Sequence, residues 1–175
     1  LVGLIVLAGG VFFDVLAQDV YPTAILPFQE RGAEVRGLGP KASDILFASL
    51  VANPELYLVD REDLEKTLGE AELNLSGMVG PGQATQVGQL TGAKILVTGS
   101  VMQVGKKLFV VAKIIGTETS RVLGKSVKGD ARDDLDTLVE QLAEGVSETI
   151  SAKADQLVAK PVKQEDRIAA LLKKL

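Results

Sequence analysis

Cysteine and histidine are both missing from the 175 residues of this chain. Without cysteine there is no disulfide, no thiolate nucleophile and no cysteine-ligated zinc. Without histidine the usual general base near neutral pH is gone, and with it the commonest metal ligand. Catalysis would have to run on carboxylates, Lys, Ser or Tyr alone. Tryptophan is also absent and aromatics make up 4% of residues, which argues against base stacking, carbohydrate platforms and the aromatic girdles of membrane barrels. Positive charge is in deficit, with 19 Lys and Arg against 23 Asp and Glu. A net charge of −4 gives no reason to expect binding to nucleic acid phosphates.

What remains is ordinary for a folded protein: 46% apolar and 24% charged residues, in a length that suits one domain with appendages. The run from Leu1 to Leu16 resembles a signal-peptide core without its basic start. Val15-Leu16-Ala17 places suitable residues before a cleavage point at Gln18, although Asp14 fits poorly. A buried strand or a membrane anchor is the alternative, and the run is short for a span of roughly 20 residues. No cysteine stands there to be acylated. The expected division is therefore a truncated signal peptide over 1–18, an α/β domain over 19–150, and a truncated helical extension or linker over 151–175.

Periodicity and turn residues place the elements. Thr23-Ala24-Ile25-Leu26-Pro27-Phe28 reads as a strand, followed by a polar loop from Gln29 to Gly39. Pro40 opens a helix whose apolar positions Ala42, Ile45, Leu46, Leu50 and Val51 keep helical spacing. Leu56 to Val59 is a second strand, and Asp60 an N-cap for a charged helix from Arg61 to Leu73. A loop through Gly80-Pro81-Gly82 leads to a short helix, Gln83 to Leu90, closed by Gly92. Three strands follow, Lys94 to Val104, Leu108 to Gly116 and Ser120 to Lys128, the first two joined by Gly105-Lys106-Lys107. Asp130 is expected to cap a last helix, with Asp133 and Asp134 in its first turn and a stripe of Leu135, Leu138, Leu142, Val146 and Ile150. Glu165 to Leu175 reads as one more amphipathic piece. The order β-α-β-α-α-β-β-β-α predicts an α/β (α+β) fold, helices packed on a mixed parallel and antiparallel sheet.

No set of residues carries recognisable chemistry. Gly124-Lys125-Ser126 looks like the end of a phosphate loop, but the pattern wants glycine where Thr119 stands and a helix where Lys125-Ser126-Val127 reads as strand. Asp60, Glu62, Asp63 and Glu65 are better explained by a capped helix start and a solvated face than by a cation site. Glu30, Arg31 and Glu34 lie on a loop after a strand, a usual place for sites, without a spacing that names a reaction. Gly37-Leu38-Gly39 and Gly80-Pro81-Gly82 lack the context of a dinucleotide fingerprint. The reading assigns no catalytic residue, no metal ligand and no cofactor.

The strand at Ala24-Ile25-Leu26-Pro27-Phe28, the helix from Ala42 to Val51, the run Leu56-Tyr57-Leu58-Val59-Asp60-Arg61 with Leu64 and Leu68, and above all Leu90-Thr91-Gly92-Ala93-Lys94-Ile95-Leu96-Val97-Thr98-Gly99-Ser100-Val101 carry a resemblance. Over about Thr23 to Ile150 the chain resembles the CsgG/HfaB family of curli-secretion proteins. It is similar more distantly to the lipoprotein activators of penicillin-binding proteins and to the amino-terminal domain of TolB-type proteins. The resemblance implies a periplasmic α/β domain, at or near the outer membrane, that works with other envelope proteins and self-associates into a ring. Pore formation does not carry over. A spanning strand needs roughly 9–11 residues, and neither the Gly105-Lys106-Lys107 turn nor the step from Lys128 to Asp130 has room for a hairpin leaving the sheet.

The expectation is thus a non-enzymatic envelope protein acting through protein contacts in assembly or secretion. Its contact surfaces would be the Gln29–Gly39 loop, the Leu75–Gly82 loop and the helix after Asp130. The alternatives are an activator docked on a cell-wall synthase, or a small-ligand or carboxylate-dependent enzyme domain built around Glu30, Glu34 and Asp60.

Overall fold

The structure, a computed structural model, describes residues 20–71, 79–131 and 135–159. Its centre is a six-stranded sheet. β1 (Pro22–Ile25) lies between β3 (Tyr57–Leu58) and β4 (Ile95–Val104), parallel to both. Thr23, Ala24 and Ile25 are buried, as suits a parallel strand with helices on both faces. Pro27 has no N–H to give, so the ladder breaks after Leu26, whose amide still donates to the Val97 carbonyl at 2.9 Å. Pairing resumes in β2 (Gln29–Arg31), set beside Ser100–Met102 on the same edge of β4. The break lets Phe28 turn inward against Gly99, where a Cβ would lie 2.5 Å from its ring and 2.2 Å from the Val111 carbonyl oxygen.

The expected polar loop over Gln29–Gly39 is therefore largely structured: β2, a 3₁₀ turn at Ala33–Val35, and the start of α1 (Leu38–Val51). Gly37, at φ 79°, makes the left-handed bend into α1, and Glu30 Oε1 accepts from the Gly39 amide at 3.1 Å. Three residues of strand with Gln29 and Arg31 pointing away from α1 leave too little alternation to see in sequence.

Asp60 caps α2 (Arg61–Glu70) as expected, accepting from the amides of Glu62 at 2.8 Å and Asp63 at 3.2 Å. α3 (Pro81–Thr91) has Pro at its start, the Gln83 side chain accepting from the Gly80 amide, and Gly92 left-handed at its end, φ 74°. β4, β5 (Lys107–Gly116) and β6 (Val122–Asp130) form an antiparallel meander, the first turn made at Gly105, φ 60°.

Asp130 does not cap the last helix. It ends β6 opposite Lys107, with a 3.9 Å ion pair between them, and the Ala131 amide donates to the Lys106 carbonyl. The tight turn at Gly105 lets β5 begin at Lys107, so the ladder has a partner for two residues more than hydrophobicity indicates. α4 runs from Leu135 to Leu157. Asp133 and Asp134, the 165–175 piece and the 1–16 run lie outside the described residues.

The helices take opposite faces. α1 and α4 cover one side, joining Ala42, Leu46, Leu50, Leu138, Leu142 and Val146 to Ile25, Val97, Val110, Ala112 and Ile114. α2 and α3 cover the parallel half of the other, joining Leu64, Leu68, Ala84 and Val87 to Ala24, Leu26, Leu96 and Ile115. Each large side chain in these layers contributes about 1.5–3 kcal/mol by leaving water. Over the antiparallel half of that second face, Met102, Phe109 and Val111 belong to neither layer and stay partly exposed.

Candidate interaction surfaces

The residues singled out for chemistry do not converge. Asp60 and Asp63 border an open cleft of about 700 Å³ between β3, α2 and the end of α3, with Tyr57, Lys66, Glu70 and Leu90. Glu30 and Glu34 are not among its lining residues. Asp60 is engaged by two amides and Glu30 by one, so both carboxylates hold helix starts. Among the described residues no group of three or more Asp and Glu is placed to hold a metal ion. Gly124-Lys125-Ser126 lies inside β6, away from any helix N-terminus that a phosphate loop requires.

Buried hydroxyls are used structurally. Ser43 donates to Pro40, Thr149 to Gly145 and Thr117 to Ala93, each at 2.7–2.8 Å to a main-chain carbonyl. Among the described residues no buried side-chain polar atom lacks a partner. Thr149 and Ser43 bond back within their own helices, and Thr117 ties the end of β5 to the start of β4; at the surface the Ser151 hydroxyl donates to Glu55 Oε2 at 3.3 Å.

Among the described residues two further surfaces stand out. One is the outer side of α4, where Asp136, Glu140, Glu144 and Glu148 are all exposed at four-residue spacing. Three of them border a groove of about 550 Å³ against α1, with Ser49, Asn53 and Ser147 in its floor. The Asn53 amide donates to Ser147 Oγ at 2.6 Å across it, tying the two helices. The other surface is the part of the sheet that α2 and α3 leave, with Val79 beside it. There the register sets Arg31, Met102, Phe109 and Lys128 in one row across four strands, and Gln29, Ser100, Val111 and Ser126 in the next. Thr98, Lys113 and Gly124 form a third row, and Val104, Lys107 and Asp130 end the face.

The helix expected to follow Asp130 as a contact surface is α4, which among the described residues begins at Leu135, because Asp130 belongs to β6. The sequence reading missed the sheet face, because the side chains that build it come from strands remote in sequence. Alternation along β5 (buried Leu108, Val110, Ala112, Ile114) is the signal that tells which residues lie opposite. The Leu75–Gly82 loop lies mostly outside the described residues.

Fold and surfaces together define a class: an α/β domain built around one mixed sheet, with broad polar surfaces and a half-buried apolar strip on the sheet. Residues 23–139 match the family described as "Curli production assembly/transport component CsgG", and the chain belongs to that family. Membership points to the bacterial cell envelope. No curated protein matches the chain in sequence. Among solved structures, the LpoB C-terminal domain from Salmonella enterica is similar at TM-score 0.51 and 13% identity, over 63% of this chain and 82% of that one. The Escherichia coli LpoB C-terminal domain gives TM-score 0.51 and 16% identity, over 62% and 80%. Lipoprotein GNA1162 from Neisseria meningitidis gives TM-score 0.50 and 16% identity, over 75% and 99%. At these identities the likeness is one of fold. Among the described residues no helix is long and apolar enough to cross a membrane.

Proposed function

We propose that this protein is a non-enzymatic component of the cell envelope that works by protein–protein contact in periplasmic or outer-membrane assembly or secretion, without itself forming a pore. The observation that carries this reading is the family match over residues 23–139. The side chains support it: Asp60 and Glu30 accept from helix-start amides, and the exposed features are extended surfaces. Against a pore stands the meander. β4, β5 and β6, of 10, 10 and 9 residues, are paired along the sheet, with Leu108, Val110, Ala112 and Ile114 turned into the α1–α4 core. Strands committed to a soluble core on one side are not available to face lipid.

The test is crosslinking in cells followed by pull-down from envelope extracts. Recovery of secretion or outer-membrane assembly components supports the reading; residence in the cytosol with only cytosolic partners overturns it. Ion conductance across planar bilayers by the purified chain would overturn the pore-free part. Docking on a cell-wall synthase is the second reading, supported by the fold shared with the LpoB domain, and recovery of synthases in the same pull-down would favour it.

A further inference from the structure

β6 is the long edge of the sheet. It pairs with β5 from Val122 to Asp130 in unbroken register, and no described strand lies on its other side. The opposite edge, β3, is two residues long. Main-chain bonds fix the phase of the β5–β6 ladder at both ends: the Gly116 amide donates to the Arg121 carbonyl at 2.9 Å, and the Ala131 amide to the Lys106 carbonyl at 2.8 Å. In an antiparallel pair, hydrogen-bonded and non-hydrogen-bonded residues alternate. Leu123, Lys125, Val127 and Gly129 therefore turn their main-chain groups to β5. Those of Val122, Gly124, Ser126 and Lys128 point outward, along about 20 Å of edge. Among the described residues no main-chain partner reaches these four.

Exposed edges are commonly short, bulged or interrupted by proline. β6 is none of these: it has nine residues, no bulge and no proline. What marks it is charge. Arg121, Lys125 and Lys128 stand along it, and no carboxylate follows Arg121 until Asp130, which pairs with Lys107. The Lys125 stem lies against α4, where a Cβ on Gly145 would come 3.3 Å from Lys125 Cδ. Leu123 and Val127 are half-buried against the main core, and Val122 is 47% exposed.

We propose that β6 takes an extended, acidic segment of a partner protein as an added strand. Main-chain bonds to the four outward residues supply affinity, and the side chains beside them set the character of the segment. Directly opposite residues stand about 4.5–5.5 Å apart between Cβ atoms. Carboxylates facing Arg121, Lys125 and Lys128 thus form cross-strand ion pairs, and branched apolar residues facing Leu123 and Val127 extend the half-buried strip. A basic segment meets like charge at the same three positions, which selects against it. The added strand is one form of the protein contact proposed above and rests on that reading.

The probe is a capped eight-residue peptide with glutamates opposite Arg121, Lys125 and Lys128, valines opposite Leu123 and Val127, and threonines elsewhere. A counterpart carries lysines in place of the glutamates. The full chain is titrated with each at low salt, and amide hydrogen exchange is followed by NMR. The acidic peptide should bind and slow exchange about tenfold or more at Val122, Gly124, Ser126 and Lys128, whereas Leu123, Lys125 and Val127 are already protected by β5. The lysine peptide should bind about tenfold more weakly. Ser126→Pro removes an outward N–H that β5 does not use, a change that edge strands tolerate. It should weaken binding of the acidic peptide about tenfold, with native circular dichroism as the check on folding. Lys125→Glu with Lys128→Glu leaves the main chain intact and should reverse the preference between the two peptides. An acidic peptide that does not bind overturns the proposal, and is the result expected if the lysines serve only to keep the edge unpaired. So does binding without slowed exchange at the four outward amides, or a preference that survives the charge reversal. The pull-down from envelope extracts does not depend on these titrations, so either can fail while the other stands.

Discussion

Gly99 shows how one missing side chain decides a local arrangement. The β4 backbone there is approached by the Phe28 ring, and a Cβ would also lie 2.2 Å from the Val111 carbonyl oxygen, a main-chain atom held in the β4–β5 ladder. Gly99→Ala should therefore cost about 3 kcal/mol through overpacking, read as a lowered urea midpoint with an unchanged slope. Asp60 acts through two hydrogen bonds to helix amides. Asp60→Ala should cost about 1 kcal/mol while Asp60→Asn, which keeps the acceptor, costs much less; equal losses for the two would contradict the capping role. This residue was readable from sequence, since a cap depends on neighbours two and three positions away. Gly99 was visible only as a glycine in a strand. Its reason lies in Phe28, brought beside it by the ladder break at Pro27.

At the scale of elements, α4 carries the largest single contribution to the main core, with Leu138, Val139, Leu142, Val146 and Ile150 buried along it. The helix bends at Lys153, where the backbone leaves helical angles. Its last turn still returns to the sheet: Leu157 is fully buried, its carbonyl accepts from Thr119 Oγ1 at 2.7 Å, and Gly116 gives it room. Leu157→Ala should destabilise by about 2–5 kcal/mol, in the same range as Leu142→Ala; a loss below about 0.5 kcal/mol, normal for a surface site, would show that the turn beyond the bend is not part of the core. The helical elements were legible because caps, prolines, glycines and the 3.6-residue stripe are local signals. β2 and the end of β6 were not. Both are strands only because a partner strand lies alongside, and neither carries enough alternation to announce itself.

At the scale of the molecule, the sheet orders stability. β1 and β4 have strands on both sides and helices on both faces near Leu96 and Val97, whereas β3 is a two-residue edge. Native-state hydrogen exchange should be slowest at amides of β1, β4 and β5 and several orders of magnitude faster at Tyr57 and Leu58. Uniform protection across all six strands would show that the edge is held by something beyond β1. Charge is also organised at this scale, acidic on the outer helix and basic on the open sheet, while composition shows only a small net negative value.

The amino-acid order by itself determined the class of fold, the presence of the four helices, the Asp60 cap and the Gly92 stop, the meander after Gly92, the absence of thiol and imidazole chemistry, and the family. All of these depend on residue type or on contacts within a few positions along the chain. Tertiary structure alone decided that Gln29–Arg31 is a strand, that Asp130 closes a ladder, and that Glu30 is engaged at the start of α1, away from the cleft that Asp60 borders. It also decided that Arg31, Lys113 and Lys128 meet on one face around Met102 and Phe109. Those outcomes follow from strand register, which joins residues distant in sequence and has no local signature.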